Sequence, residues 1–357
     1  MLNISKKEHC STKSAYAIRM SAILLALVTA SLFLLVLGYN PIEVYKGLLR
    51  GAFGTEHRIK ETIIKTIPLV ITSVGIGLAF KMKFWNIGAE GQIIMGAFAA
   101  TYFALNFSGL PKGVLLPIMM IAAVIAGGIW AFIPAFFKAK YKTNETIFTL
   151  MLNYIALGWI TYLQYGPWKD PNAFGFPKIP NYGPSATLPQ VFGIHMGWII
   201  ALIIVIGMHL FINYTKKGYE ITVIGESEST ARYAKIPVDK LMMKMLFVSG
   251  GIIGLTGMIQ ASAVSRTLSV DITGGIGFTA IITAWLAGLK APLMIIVCFL
   301  FSIMLSGASY IQTAFQIPQA AAEVLQGLIL FFVLGSEFFI KYRIKITNTL
   351  FYKNREV

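Results

Sequence analysis

Apolar runs long enough to cross a lipid bilayer follow one another along this chain, and no other feature constrains its fold as strongly. Bounded by turn and charge signals, ten candidate helices, several of them short, fall at residues 20–38, 62–80, 90–107, 113–137, 146–165, 197–214, 243–263, 276–289, 291–310 and 322–340. An α-helix rises about 1.5 Å per residue and the hydrocarbon layer is about 30 Å thick, so about 20 apolar residues span it. Only 13% of the residues are charged, against about 25% in soluble domains. That is too few to clothe a water-facing surface. The expected fold is all-α: a polytopic membrane helical bundle of about ten transmembrane helices. The third and eighth runs are rich in small residues, which suits positions packed between helices.

The first run resembles a signal peptide, with Lys6, Lys7 and Lys13 ahead of it and a Val28-Thr29-Ala30 triplet like a cleavage site. It continues to Gly38, however, and is read as a retained first helix. Charge then orients the bundle. The net charge is +15, which in a span-dominated chain reflects basic cytoplasmic loops rather than a nucleic-acid partner. With the N-terminus inside, the inside segments hold 21 of the 30 Lys and Arg and the outside segments nine. Both termini are therefore expected on the cytoplasmic side. This divides the chain into a cytoplasmic N-terminal tail (1–19), a transmembrane domain (20–340) and a cytoplasmic C-terminal tail (341–357). Residues 42–53, in the first outside loop, are expected to form a short interfacial helix.

Two loops stand out. Residues 166–193 carry six prolines, which exclude a long helix and predict an extended outside cap for docking or gating. Residues 215–242 form the longest basic, hydrophilic segment between spans. The glycine-rich junctions at 84–92 and 271–279 occupy matching places in two five-helix halves. Five is odd, so equivalent helices would run in opposite directions, the arrangement of a 5+5 inverted repeat with its solute path at the repeat interface.

Four segments carry candidate chemistry. Phe84, Trp85, Asn86, Glu90 and Gln92 cluster polar groups and glycines in an otherwise apolar chain. Glu90 either faces a polar cavity or sits at a helix N-terminus, where a carboxylate complements the dipole. Thr143 or Asn144 is expected to cap the next helix, which carries Glu145 in its first turn and Asn153 two turns on. An Asn within a span needs a hydrogen-bond partner, most often a neighbouring helix. Residues 218–237 predict a short cytoplasmic helix from about Ser227 to Lys235, with Glu226 and Glu228 at its start, Arg232 and Lys235 at its end, and Pro237 stopping it. Ala231 and Ala234 would leave a small-residue surface on it. Gly274-Gly275-Ile276-Gly277-Phe278-Thr279-Ala280 matches a dinucleotide pattern only superficially, since no strand precedes it, and reads as a helix break or close packing.

Cys10 and Cys298 lie far apart and the four histidines are scattered, so no metal site is expected. With no phosphate-binding G-x-x-x-x-G-K-[ST] loop and no nucleophile–base pair, the chain is not read as an enzyme.

Taken in order and spacing, residues 84–92, 144–154, 225–237 and 275–289 resemble the nucleoside/simple-sugar ABC transporter permeases, and the similarity runs from about residue 40 to 339. The stretch from Thr279 to Trp285 departs from the family pattern, which carries Asp-Gly there and no tryptophan. The resemblance implies a permease domain in the cytoplasmic (inner) membrane and a second, homologous permease subunit. It also implies an ABC ATPase that uses ATP and Mg while this chain binds no cofactor, and an extracytoplasmic substrate-binding lipoprotein or protein. It implies ATPase coupling through Gly225, Glu226, Glu228, Ala231, Arg232 and Ala234. For a nucleoside the pathway needs aromatic faces and amide or hydroxyl groups in an apolar wall. The candidates are Phe84, Trp85, Asn86, Glu90, Gln92, Asn153, Phe278, Thr279 and Trp285. A simple sugar such as a pentose is the alternative solute. An ion-coupled secondary transporter is the alternative class, and it would need paired intramembrane acids. Here Glu90, Glu145, Glu323 and Glu337 sit near span ends.

Overall fold

The computed structural model describes residues 2–6 and 12–346. Parts of the expected tails, including Lys7, His9, Cys10, Lys353 and Arg355, lie outside the described residues. The helices are α1 (Thr12–Val36), α2 (Pro41–Phe53), α3 (Glu56–Lys81), α4 (Ala89–Asn106), α5 (Lys112–Tyr141), α6 (Glu145–Tyr165), α7 (Gly197–Tyr214), α8 (Lys216–Glu226), α9 (Glu228–Tyr233), α10 (Val238–Ile259, continued by a π-turn at Gln260–Val264), α11 (Ile276–Leu286), α12 (Ala291–Ala314) and α13 (Gln319–Lys341). Four short strands, β1 (Leu2–Lys6), β2 (Gln190–Val191), β3 (Ile194–His195) and β4 (Tyr342–Ile346), form two antiparallel ribbons, β1–β4 and β2–β3. The chain divides into two compact units, one of residues Met1–Arg58 with Ile303–Val357 and one of Ile59–Ser302.

Each of the ten apolar runs is helical, yet they are not equivalent as spans. Among the described residues seven helices are long and apolar enough to cross a membrane, or eight if α1 and α2 count as one bent span. The expected ten is not reached by this measure. Glu90 and Gln92 make the first turn of α4 polar, and α11 is only 11 residues long. The first run also ends differently than expected, because α1 turns by 113° into α2. Asn40 causes the turn: its side chain accepts the Ile42 N–H at 3.0 Å and caps α2, while Pro41 stands at the first helical position. α1 starts at Thr12, inside the expected tail, since no Gly or Pro interrupts residues 12–19. The described strands of the two tails pair with each other, Leu2 opposite Ile346 and Lys6 opposite Tyr342.

In the first unit, Ala30 and Leu34 of α1, Val44 of α2, Ile311 of α12 and Ala322 and Leu325 of α13 form the buried core. The Arg58 guanidinium lies 4.0 Å over the Tyr310 ring, a cation–π contact. The Tyr45 hydroxyl donates to the Leu27 carbonyl at 2.6 Å, tying α2 back to α1.

The second unit is held by backbone proximity. Lipid supplies little hydrophobic drive for helix association, so small residues that admit close packing take that role. A Cβ at Gly127 of α5 would stand 2.7 Å from the Gly254 Cα of α10, and one at Gly75 of α3 would stand 2.5 Å from Ile253 Cγ1. Gly96 of α4 faces the Gly254 backbone, and Gly257 faces that of Ile93. α3 is buried along most of its length, with Thr72 and Ser73 hydrogen-bonded to Thr256 and Thr283 at 3.1 and 2.6 Å.

Residues 166–193 lack a long helix, as their prolines dictate, and hold only a single 3-10 turn (Pro184–Ala186) before the β2–β3 hairpin. Phe192 and Gly193 at its tip both have positive φ, 57° and 77°, the backbone twist that two-residue hairpin turns favour. The segment is fastened to its neighbours. Tyr182 N–H donates to the Arg266 carbonyl at 2.8 Å, Thr267 Oγ1 to the Ile179 carbonyl at 2.8 Å, and Gln164 Nε2 to the Pro177 carbonyl at 2.9 Å. His195, 3% exposed, finds no hydrogen-bond partner for either ring nitrogen among the described residues. Burial pushes its pKa down from 6.5 to about 4.

Two outcomes follow from this packing. Gly254→Val should lower thermal stability in detergent by about 1–3 kcal/mol or abolish folding, since backbone has no room to yield; a melt matching the parent protein would remove the glycine contact as the organising feature. Between pH of about 4 and 6.5 the buried His195 binds fewer protons than an exposed one, so folding of this segment releases protons and its stability rises with pH. Hydrogen exchange of the β2–β3 hairpin should therefore quicken as pH falls through that window, after correction for intrinsic rates, and His195→Phe should flatten the dependence.

Candidate translocation site and coupling surface

The break between α3 and α4 is built from the polar residues singled out above. Asn86 and Gln92 pair amide to amide: Gln92 Nε2 donates to Asn86 Oδ1 at 3.0 Å and Asn86 Nδ2 to Gln92 Oε1 at 3.2 Å. Asn86 Oδ1 also accepts the Gly88 N–H at 3.0 Å. Asn153 on α6 accepts the Gly91 N–H at 2.8 Å and donates to the Ile87 carbonyl at 2.9 Å. These side chains thus satisfy the backbone groups freed where the helix is interrupted, as an apolar surrounding requires.

Glu90 joins this break to the second one. Its Oε1 accepts the Gly277 N–H at 2.7 Å and lies 3.4 Å from the Phe278 nitrogen. The carboxylate therefore sits on the N-terminus of α11, where unpaired N–H groups and the helix dipole favour a negative charge. Close approach requires glycine here: a Cβ on Gly277 would stand 2.7 Å from the Glu90 nitrogen. The junctions at 84–92 and 271–279, far apart in sequence, are in direct contact.

The aromatic candidates divide by environment. Phe84 is fully buried, with Lys138 Nζ 5.1 Å from its ring centre. Trp85 and Trp285, 47% and 37% exposed, stack with ring centres 5.6 Å apart and planes inclined by 28°. Phe80 packs against both, at 5.5 and 5.8 Å. Phe278 is exposed, and half-buried Thr279 donates to the Gly275 carbonyl at 3.0 Å. Asn86, Glu90, Gln92 and Asn153 thus form a buried polar brace, and Trp85, Trp285 and Phe278 present ring surface beside it.

Thr149 and Phe80 belong to this region and were not anticipated. Thr149 Oγ1 accepts the Ile87 N–H at 3.2 Å and donates to the Glu145 carbonyl at 2.8 Å. It lies four residues before Asn153 on the same helix face, and that spacing was the available signal. Phe80 is one aromatic within an apolar run and carries no such mark. At the start of α6 the cap is Asn144, whose Oδ1 accepts from Thr146 and Ile147 N–H at 3.0 and 3.3 Å, and Glu145 pairs with Lys138.

The expected helix near Ser227–Lys235 is present as α9, shorter at both ends. Ser227 caps it, accepting the Thr230 N–H at 3.3 Å, and Lys235 ends it with φ of 57°. Of the two alanines, Ala234 is exposed but Ala231 is fully buried within the chain. The small-residue surface is thus corrected: Ala231 is packing, and the outward face carries exposed Tyr233, Glu226 and Glu228. Arg232 clamps the segment, its Nη2 reaching Glu228 Oε1 at 2.8 Å and Asp239 Oδ1 at 3.0 Å. Hydrogen bonds to Asp239 and then Glu228 push its pKa further up. Gly225 packs on the Lys81 carbonyl, and Lys83 Nζ donates to the Glu226 carbonyl at 3.0 Å.

A broken-helix bundle braced internally by amides, with a compact helix clamped to the foot of α10, fits the class of multi-pass transport proteins. Comparison with known proteins agrees with this class. Residues 58–334 match the family described as branched-chain amino acid transport system / permease component, and the chain belongs to that family. It is 30% identical to a glucose ABC transporter permease protein of Haloferax volcanii, over 93% of this chain and 90% of that one. It is 31% identical to a guanosine ABC transporter permease protein of Bacillus subtilis (88% and 92%) and 29% identical to a nucleoside ABC transporter permease protein of Lactococcus lactis (87% and 88%). This chain is accordingly an ABC transporter permease.

Asn153→Ala should cost about 1–3 kcal/mol, because the Gly91 N–H and Ile87 carbonyl lose their partner in a buried place. Thermal unfolding of the purified protein checks this, and an unchanged midpoint would mean the brace is not formed.

Proposed function

We propose that this permease carries nucleosides inward across the cytoplasmic membrane, with both its termini on the cytoplasmic side. The observation carrying the reading is the exposed, stacked Trp85–Trp285 pair beside two hydrogen-bonded glycine-rich junctions. An aromatic face suits a nucleobase, and the guanosine and nucleoside permeases among the relatives support that choice. A simple sugar is the second reading, favoured by the glucose permease relative. Sugar rings also stack on aromatic faces, so uptake has to separate the two.

In this proposal Trp85, Trp285, Phe278 and Thr279 contact solute in transit, while Asn86, Glu90, Gln92 and Asn153 keep the two junctions in register. Ten helical passes arranged as two inverted halves would put both junctions at the repeat interface, and the Glu90 bond to α11 supports this arrangement. A partner ATPase binds ATP and Mg and engages residues Gly225, Glu226, Glu228, Arg232 and Ala234, with buried Ala231 seating the helix. A second homologous permease completes the channel, and an extracytoplasmic binding protein docks on the 166–193 cap. ATP drives the cycle through contacts that differ between the two states.

The test is uptake of labelled nucleosides and pentoses by the reconstituted complex, with and without ATP. ATP-dependent nucleoside uptake is expected. Trp85→Ala should lower it by roughly twofold to tenfold, the worth of one stacked aromatic contact, while leaving affinity for the binding protein unchanged. Pentose uptake without nucleoside uptake would replace the first reading by the second.

A further inference from the structure

One face of α7 lines two adjoining cavities that the transport reading leaves unused. Trp198, Ala201, Leu202 and Val205 line an almost wholly apolar trough of about 170 Å³, closed by Ile67 and Val70 of α3. Met208, His209, Ile212 and Asn213 line a wider mouth of about 440 Å³, completed by Lys81 at the end of α3 and by Lys290 and Leu293 at the start of α12. The α7 positions recur every three or four residues, so they form a single stripe, and Val205 and Met208 are only about 4.5 Å apart along the helix axis. Trough and mouth thus succeed one another along the same face of α7, and a chain lying on that face would run from one into the other.

Its chemistry is asymmetric. Lys81 and Lys290 flank the mouth, and among the described residues no Asp or Glu lines it. Two ammonium groups sharing a cavity without a carboxylate invite an anion. Asn213 donates to the His209 carbonyl at 2.8 Å, which fixes the Asn213 amide at the mouth. Beside these cavities, Ile203, Ile206 and Leu210 leave the surface of α7 exposed and apolar. A free anion would match the mouth but leave the trough unfilled. A molecule with a phosphate at one end and an alkyl chain at the other matches both. Basic pockets between transmembrane helices hold acidic lipid headgroups in just this way.

We propose that this groove binds an anionic glycerophospholipid, its phosphate between Lys81 and Lys290 and one acyl chain along the Ala201–Val205 trough. The inference rests on the membrane-spanning character of the chain alone and is independent of the solute. Bound lipid would fill the seam between α3, α7 and α12.

Native mass spectrometry of the full-length protein, titrated in detergent with phosphatidylglycerol or phosphatidylcholine, tests this. Phosphatidylglycerol should bind preferentially, and Lys81→Gln with Lys290→Gln should reduce that preference, roughly fivefold for each lysine. Lys81→Arg with Lys290→Arg should retain it. Because Lys290 is exposed, Lys290→Gln alone reads the same loss should the double variant fail to fold. Equal binding of the two lipids, or a preference untouched by the glutamine variants, would overturn the proposal. So would displacement of bound phosphatidylglycerol by equimolar inorganic phosphate, which would mark a site for a free anion. Failure on any of these counts would leave the uptake result untouched.

Discussion

Where α4, α5 and α10 meet, backbone touches backbone, and the rest of the second unit is arranged around that contact. Gly96, Gly127, Gly250, Gly254 and Gly257 remove the side chains that would hold these helices apart. In water, burying larger apolar side chains would be the stronger device. In lipid, where a leucine is as well solvated outside the bundle as within it, close van der Waals contact between small residues is the available substitute. The contact leaves no slack at its own level. The helical backbone is interrupted elsewhere, at residues 84–92 and 271–279.

Those interruptions create the demand that the polar side chains meet. A broken helix in a membrane exposes N–H and carbonyl groups that no water can reach. Asn86, Gln92, Thr149 and Asn153 answer for the first break and Glu90 for the N-terminus of α11. Of these, Asn86, Glu90, Gln92 and Asn153, read from sequence as solute contacts, turn out to bond to the protein itself. Ring surface is left to face outward, through Trp85, Trp285 and Phe278.

Much of this was legible because polar residues are conspicuous in apolar surroundings. The segments at 84–92 and around Asn153, the cap at Asn144 and the short α9 were all visible in that way. The α2 helix was also visible, although the 113° turn before it was not, since Asn40 and Pro41 mark a helix start without fixing the direction of approach. Partnership was harder to read than position. Nothing local says that Glu90 reaches Gly277, or that Ala231 faces inward while Ala234 faces out, because both depend on segments distant in sequence. Thr149 and Phe80 escaped notice for a related reason: threonine and phenylalanine are ordinary within apolar helices, and only their neighbours give them roles.

The Arg232 clamp has a mechanical meaning. Its two arms grip Glu228 inside α9 and Asp239 in the first turn of α10, while Ala231 is sunk into the chain beneath them. A load placed on this stub therefore passes into the foot of α10 instead of dissipating in a slack tether, and α10 is the rod whose upper half is wedged against α4 and α5. Through that joint α9 is tied to α10, and α10 is in turn packed backbone to backbone against α4 and α5, so the stub has no independent footing of its own.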